Sequence, residues 1–163
     1  MSTVGNWRGP NIVKDRLVLY LDTNSPNSYK NGVFGTTWKD VSGSNYNGQL
    51  INGVAFNSDN GGYFSFDGTD DYISLGNVTV APNLFPNTSG FTWEGWLKFS
   101  GYTGNYRNIW FGNASGGNSG FGIGLDDDSN QLYYEIYGTT GGRQLKYITT
   151  TSYLSSWNHW CCY

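Results

Sequence analysis

The sequence predicts an all-β protein folded as a single antiparallel β-sandwich. Glycine provides 24 of the 163 residues and aromatic residues 18%, whereas charged residues amount to 13%, a balance typical of short strands joined by many turns. Several segments alternate apolar and polar residues with the period of two that marks a half-buried strand. No segment combines a helical period with helix caps, and no long internal repeat is present. A chain of this length is expected to form one domain.

The sandwich is organised around residues 61–75, which predict a β-hairpin. Phe64 and Phe66 fall on one face of its first alternating run, because successive strand side chains point to opposite faces. Residues 67–71 form the turn, where Gly68 can adopt the positive φ that a tight reversal requires. The aspartates beside this glycine can accept hydrogen bonds from their own backbone.

The other elements follow from the same alternation. Residues 1–15 are polar and predict an N-terminal arm or linker, and residues 16–163 predict the sandwich itself. Leu17, Leu19 and Leu21 share one face of a first strand. The later predicted elements, in chain order, are a loop holding Trp38 and Val41, a strand over 91–99, a short strand over 108–111, a hairpin of 121–125 with 132–137, a strand over 144–151 and a last strand from 157.

Charge and hydropathy exclude two classes of partner. The net charge is −3 and the pI about 4.8, with no cluster of lysine and arginine, whereas nucleic-acid binding depends on neutralising phosphates. The longest apolar runs are of strand length, so no membrane insertion is expected. The first ten residues lack the basic and apolar regions of a secretory signal, which predicts synthesis without a signal peptide.

The hairpin and five other segments, taken in order, resemble the laminin-G-like and concanavalin A-like lectin/glucanase jelly rolls. The five are a first strand at 17–22, a tryptophan–aspartate loop at 37–43, a lead-in at 47–53, a central strand at 91–99 and a tryptophan–histidine strand at 156–160. The resemblance implies a jelly-roll sandwich. That fold carries lectins, adhesion modules, glycanases and structural modules, so the resemblance implies less about function.

Residues 9–22 also look like the opening of jelly-roll proteins encoded by tailed phages. This resemblance implies a virion protein, made in the host cytoplasm and displayed on the tail or capsid surface. Its partners would be other virion subunits, including copies of itself, and it would contribute to assembly or to adhesion through a cell-surface glycan. The alternative is a secreted or cell-surface bacterial carbohydrate-binding domain of the lectin type, with an extracellular location.

The predicted sandwich is expected to be incomplete at its C-terminal edge. In the family that the sequence resembles, further strands follow the tryptophan–histidine strand, whereas this sequence stops at Tyr163. A terminal apolar strand would leave an exposed sheet edge. Either the chain is a fragment, or a neighbouring subunit completes the sheet.

The sequence predicts a protein that is not an enzyme. Glycanases of the fold that it resembles carry two glutamates with an aspartate between them on one strand, because glycoside hydrolysis needs a pair of carboxyl groups. Glu94 and Glu135 stand far apart in the sequence, and each is alone. The only histidine, His159, supplies with Cys161 and Cys162 too few ligands for an ordinary tetrahedral zinc site.

Two aspartate clusters are candidate calcium sites, since calcium prefers carboxylate and carbonyl oxygens and is common in the fold that the sequence resembles. The first is Asp67, Asp70 and Asp71, and the second lies at 126–128. Asp70 and Asp71 are adjacent carboxylates, which repel each other unless a cation neutralises them. The alternative for both clusters is a set of turn aspartates that bond their own backbone.

Aromatic residues in loops and on polar strand faces make up the candidate carbohydrate site. A flat aromatic ring stacks on the apolar face of a pyranose, while amide groups bond its hydroxyls. The candidates are Tyr106, Asn108, Trp110, Tyr133 and Tyr137. Exposed tyrosine and tryptophan also suit protein interfaces, so contact with another subunit is the alternative interpretation.

Overall fold

The computed structural model describes residues 12–76, 92–99, 107–112, 120–125, 131–137, 143–148 and 155–163. These residues form antiparallel strands and one short 3₁₀ turn, which confirms the all-β fold class. Within them, no helix is long and apolar enough to cross a membrane. The chain divides into two compact units, Met1–Gly76 and Asn77–Tyr163. The expected arm over 1–15 stays a prediction.

The first unit contains two small antiparallel sheets. Its five strands, in chain order, are β1 (Thr37–Trp38), β2 (Gly48–Ile51), β3 (Ala55–Asn57), β4 (Tyr63–Ser65) and β5 (Tyr72–Ser74). One sheet has the order β1-β2-β5, and the other consists of β3 and β4. A 3₁₀ turn at Asp59–Gly61 joins β3 to β4. The register sets Leu50 opposite Ile73 and Phe56 opposite Phe64.

The hairpin predicted over 61–75 is wrong, because its two runs join different sheets. The first run, β4, pairs with β3, and the second run, β5, pairs with β2. Each run takes a partner from earlier in the chain instead, so the turn at 67–71 carries the chain from one sheet to the other.

The predicted first strand at 17–22 pairs with no strand of the described residues. Its backbone is bonded to the loop after β1, where the Tyr20 N–H donates to Asp40 Oδ1 at 2.9 Å. Asp40 is buried and also accepts hydrogen bonds from the backbone N–H groups of Ser42 and Tyr46. The Asp40 carboxylate therefore ties the backbone at Tyr20 to the loop after β1.

The core of the first unit is a cluster of aromatic rings around Phe64. The centroid of its ring lies 4.7 Å from that of Tyr29, 4.9 Å from that of Trp38 and 5.9 Å from that of Phe56. All three contacts are edge-to-face, which is a geometry that aromatic quadrupoles favour. Phe66, expected on the same face as Phe64, lies beyond the end of β4 and is 50% exposed.

The second unit contains a four-stranded sheet and a two-stranded ladder. The strands among its described residues are, in chain order, β6 (Trp93–Leu97), β7 (Arg107–Gly112), β8 (Gly120–Leu125), β9 (Leu132–Tyr137), β10 (Arg143–Ile148) and β11 (Asn158–Cys162). The sheet has the order β10-β9-β8-β7, and β11 pairs with β6. The predicted hairpin of β8 with β9 is confirmed. The expected incompleteness of the C-terminal edge stays a prediction, as do both of its explanations.

Candidate functional site

The register of the four-stranded sheet assigns each strand position to one of two faces, because directly opposed residues lie on the same face and successive residues alternate. One face takes the apolar positions of β8, which are Phe121, Ile123 and Leu125. The other takes the three glycines of β8 and the positions opposite them, and we call it the glycine face. Its members are Asn108, Trp110 and Gly112 in β7, Gly120, Gly122 and Gly124 in β8, Tyr133, Glu135 and Tyr137 in β9, and Arg143, Leu145 and Tyr147 in β10.

The glycines leave a strip of bare backbone along the middle of this face. Trp110 of β7 and Glu135 of β9 lie on either side of Gly122, and Asn108 lies beside Gly124. Both of these glycines are buried. Glycine inside a strand often marks a bend or a place where a ligand or another backbone segment approaches closely. Three glycines at alternate positions therefore mark one face of β8 for such a close approach.

Four of the five residues predicted to bind carbohydrate occupy the glycine face, namely Asn108, Trp110, Tyr133 and Tyr137. The fifth, Tyr106, lies outside the described residues. Tyr133 is only 5% exposed, so its ring is covered by protein and offers little surface for stacking on a sugar. Carbohydrate binding by these residues stays a prediction.

Glu135 and Tyr147 are members of the glycine face that the sequence does not single out as binding residues. Glu135 is a buried carboxylate, and it shares its face with Tyr133 because the two are separated by one residue of β9. That spacing is visible in the sequence. The positions of Arg143 and Tyr147 depend on how β10 pairs with β9, and residue spacing does not reveal this register.

One family model matches the part of the chain that contains the glycine face. Residues 67–163, more than half of the 163, match the model described as the concanavalin A-like lectin/glucanases superfamily. The chain belongs to the concanavalin A-like lectin/glucanase superfamily. No curated protein and no solved structure matches it significantly. The superfamily match begins at Asp67, so it includes the aspartate turn and β5 to β11 and leaves out β1 to β4.

Asp67, Asp70 and Asp71 come together in the turn where the superfamily match begins. One carboxylate oxygen from each lies within 4.8 Å of those of the other two. In the part of the chain that the structure describes, no other three histidine, cysteine or acidic side chains bring their ligand atoms so close. The second predicted cluster, at 126–128, lies outside the described residues.

Backbone hydrogen bonds account for part of this arrangement without a cation. The Thr69 N–H donates to Asp67 Oδ1 at 2.7 Å, and the Asp67 N–H donates to Asp71 Oδ2 at 3.0 Å. The bond from Thr69, with others from the N–H groups of Asp70 and Asp71, lowers the pKa of Asp67 below its ordinary value. Three carboxylates nevertheless form the oxygen donor set that calcium takes, so the residues fit this ion.

The two glutamates considered for glycoside hydrolysis lie on strands of different sheets. Glu94 is in β6, and its Oε2 is 3.8 Å from His159 Nε2. Glu135 is buried in β9. A hydrolytic pair must flank one glycosidic bond. The strands of each sheet contain no second carboxylate to pair with the glutamate that they carry.

Proposed function

We propose that the chain is a non-enzymatic carbohydrate-binding module that uses the glycine face. The observation that carries this proposal is the register of β7 to β9, in which Asn108, Trp110 and Tyr137 fall on one face around the glycines of β8, with the buried Tyr133 packed among them and not counted as a stacking surface. Aromatic rings for stacking and amide groups for hydroxyls are the combination that recognises sugars. The superfamily match supports the same class, since its description names lectins beside glucanases.

An extended sugar chain is the ligand chemistry that suits this face. The glycines at 120, 122 and 124 lie at alternate positions along β8, so the residues beside them in β7 and β9 form two rows that run along the strand. Positions of different chemistry border the strip, with Trp110 and Asn108 in β7 and Glu135 in β9. Such a border offers stacking and hydrogen bonding at successive points along a chain of sugar rings.

The absence of catalysis is part of the proposal. Glu94 and Glu135 differ in burial and belong to different sheets, so neither has a partner carboxylate on a neighbouring strand of its own sheet. Acid and nucleophile, or acid and base, must act on the same bond in glycoside hydrolysis. Incubation of a bound oligosaccharide with the protein is therefore expected to release no new reducing ends.

Binding to immobilised oligosaccharides tests the carbohydrate proposal. Trp110→Ala is expected to weaken the affinity for a retained glycan by about tenfold or more, which corresponds to ~1.4 kcal/mol or more. Trp96→Ala is the matched control, because Trp96 is 65% exposed but lies in β6, away from the β7–β10 sheet. Unchanged affinity in Trp110→Ala, or loss of affinity in Trp96→Ala, would show that the glycine face is not the binding surface.

We also propose that the cluster of Asp67, Asp70 and Asp71 binds calcium. The expected result is a melting temperature that rises with calcium concentration, because a ligand that binds only the folded state stabilises it. Asp70→Asn should abolish this rise and leave the turn intact, since the turn bonds described above use the carboxylates of Asp67 and Asp71. Asp59→Asn, at an exposed aspartate of the same unit, is the control that should keep the rise. A melting temperature that does not change with calcium would contradict calcium binding and support the alternative, in which the aspartates bond only their own backbone.

The cellular setting that we propose is the surface of a phage virion, where copies of the chain pack against one another and against other virion subunits. Support comes from the resemblance of residues 9–22 to the opening of tailed-phage jelly-roll proteins. The alternative is a secreted or cell-surface bacterial lectin-like domain. The native mass of the protein extracted from its source separates the two: a particle-bound oligomer supports the virion, and a free extracellular protein contradicts it.

A further inference from the structure

The exposed face of the β6–β11 ladder carries three potential metal ligands of different chemistry. The register sets Trp96 opposite His159 and Glu94 opposite Cys161. Because alternate residues of a strand share a face, these four side chains lie on one face of the ladder, and Cys162 lies on the other. Cys161 is exposed, and the side chains of Glu94 and His159 are 66% and 44% exposed. All three ligands are therefore accessible to an ion from solvent.

Glu94 and His159 already stand at a spacing that suits a shared ion. Glu94 Oε2 lies 3.8 Å from His159 Nε2, which is too long for a direct hydrogen bond. Two ligand atoms bound tetrahedrally to one zinc ion at ordinary bond lengths lie roughly 3.4 Å apart, so a small adjustment brings the pair to that spacing. The Trp96 ring packs against the imidazole with the ring centroids 5.3 Å apart, and this contact restricts His159 to the exposed side of the ladder.

Cys161 provides a third ligand from the position directly opposite Glu94. Directly opposed residues have Cβ atoms about 4.5–5.5 Å apart, and His159 is two residues away on the same strand. The three ligand atoms are not already within the 4.8 Å that joins the Asp67 cluster. Binding therefore requires the thiol of Cys161 to turn into another staggered rotamer. Exposed side chains make such changes within nanoseconds, so the adjustment is readily accessible.

We propose that Glu94, His159 and Cys161 form a surface site for a divalent transition metal, with zinc as the best-matching ion. Carboxylate oxygen, imidazole nitrogen and thiolate sulfur make a zinc-type donor set, whereas calcium and magnesium prefer oxygen alone. Zinc forms one bond to each residue, the thiol proton passes to solvent, and water completes the four-coordinate shell. Cys162 lies on the other face, so the register supplies Glu94 beside His159 and Cys161, and water takes the fourth position as in other open zinc sites.

A cobalt titration of the reduced 163-residue chain, carrying no polyhistidine tag, tests the site. Cobalt replaces zinc as a coloured probe, and a cobalt–thiolate charge-transfer band is expected to appear and then to disappear when zinc is added. Cys161→Ser should abolish the band. His159→Ala and Glu94→Gln should each weaken cobalt binding by at least about tenfold. Even the loss of a residue that only hydrogen-bonds to a metal ligand weakens metal binding by about that factor.

Cys162→Ser is the matched control, because Cys162 neighbours Cys161 on the same strand but lies on the opposite face. This variant should keep the band. No band at millimolar cobalt, a band that survives Cys161→Ser, or one that also requires Cys162 overturns the proposal. This experiment does not measure sugar binding, so neither result supports or contradicts the carbohydrate proposal.

Discussion

Replacing Phe64 with alanine is expected to lower the free energy of unfolding of the first unit by about 3 kcal/mol, the lower end of the range for truncated core phenylalanines. The Phe64 ring contacts Tyr29, Trp38 and Phe56 edge-to-face, so its removal leaves a cavity and breaks three aromatic contacts at once. The lower end applies because Phe64 is half-buried. Urea denaturation, followed by tryptophan fluorescence, measures the change.

Phe66→Ala is the matched control for this variant. It removes the same atoms two residues further along the chain, but Phe66 is 50% exposed and lies beyond β4. Its expected effect is within about 0.5 kcal/mol, as for surface substitutions in general. Equal losses of stability in the two variants would contradict the assignment of Phe64, and not Phe66, to the core.

Replacing Asp40 with alanine is expected to destabilise the first unit by about 3 kcal/mol at neutral pH, because buried N–H groups left without an acceptor are costly. Asp40 Oδ1 accepts hydrogen bonds from the N–H groups of Tyr20 and Ser42, both at 2.9 Å. Its Oδ2 accepts the Ser42 hydroxyl at 2.9 Å and the Tyr46 N–H at 3.0 Å. Thermal unfolding measures the loss, and Asp15→Ala, at an exposed aspartate, should change the melting temperature little.

The same contacts predict that acid weakens the first unit. Burial alone would raise the pKa of Asp40, but the hydrogen bonds from Tyr20, Ser42 and Tyr46 outweigh burial and lower this pKa below its ordinary value. The unfolded chain therefore takes up the proton first as the pH falls. The contribution of Asp40 to stability is complete above the unfolded pKa, about 3.9, and is lost as the pH falls through the folded pKa.

Asp40→Asn removes the titrating group, so its stability should fall less than that of the unmodified protein as the pH is lowered from about 5 to about 3. Asp67, whose pKa is also lowered, is present in both proteins and contributes equally to the two curves. Parallel losses of stability over this window would contradict the role assigned to Asp40.

Alternation in the sequence predicts which residues form strands more reliably than it predicts their partners. The hairpin of β8 and β9 follows from the sequence because two consecutive alternating runs pair with each other. The runs on either side of 67–71 alternate just as clearly, yet their partners are β3 and β2. Phe66 shows that the pattern also does not predict where a strand ends. Its apolar side chain predicts a core position, but β4 ends one residue before it and Phe66 is 50% exposed.

In the candidate sites, too, residue spacing predicts some features, whereas others depend on packing and strand pairing. The shared face of Tyr133 and Tyr137 follows from their spacing alone, because strand residues an even number of positions apart lie on the same side. The burial of Tyr133 depends on packing that no local pattern contains. The approach of Glu94 to His159 joins residues far apart in the sequence, and only the register of β6 with β11 reveals it.

The turn at 67–71, which carries the chain from one sheet to the other, also favours one order of assembly in the first unit. The β3–β4 hairpin is nested inside the segment that separates β2 from β5. The entropy lost in closing a loop grows with the length of free chain inside it, and pairing β3 with β4 shortens that free chain. Pairing of β2 with β5 therefore costs less entropy once the inner hairpin exists. We expect the β3–β4 hairpin to form before β2 pairs with β5.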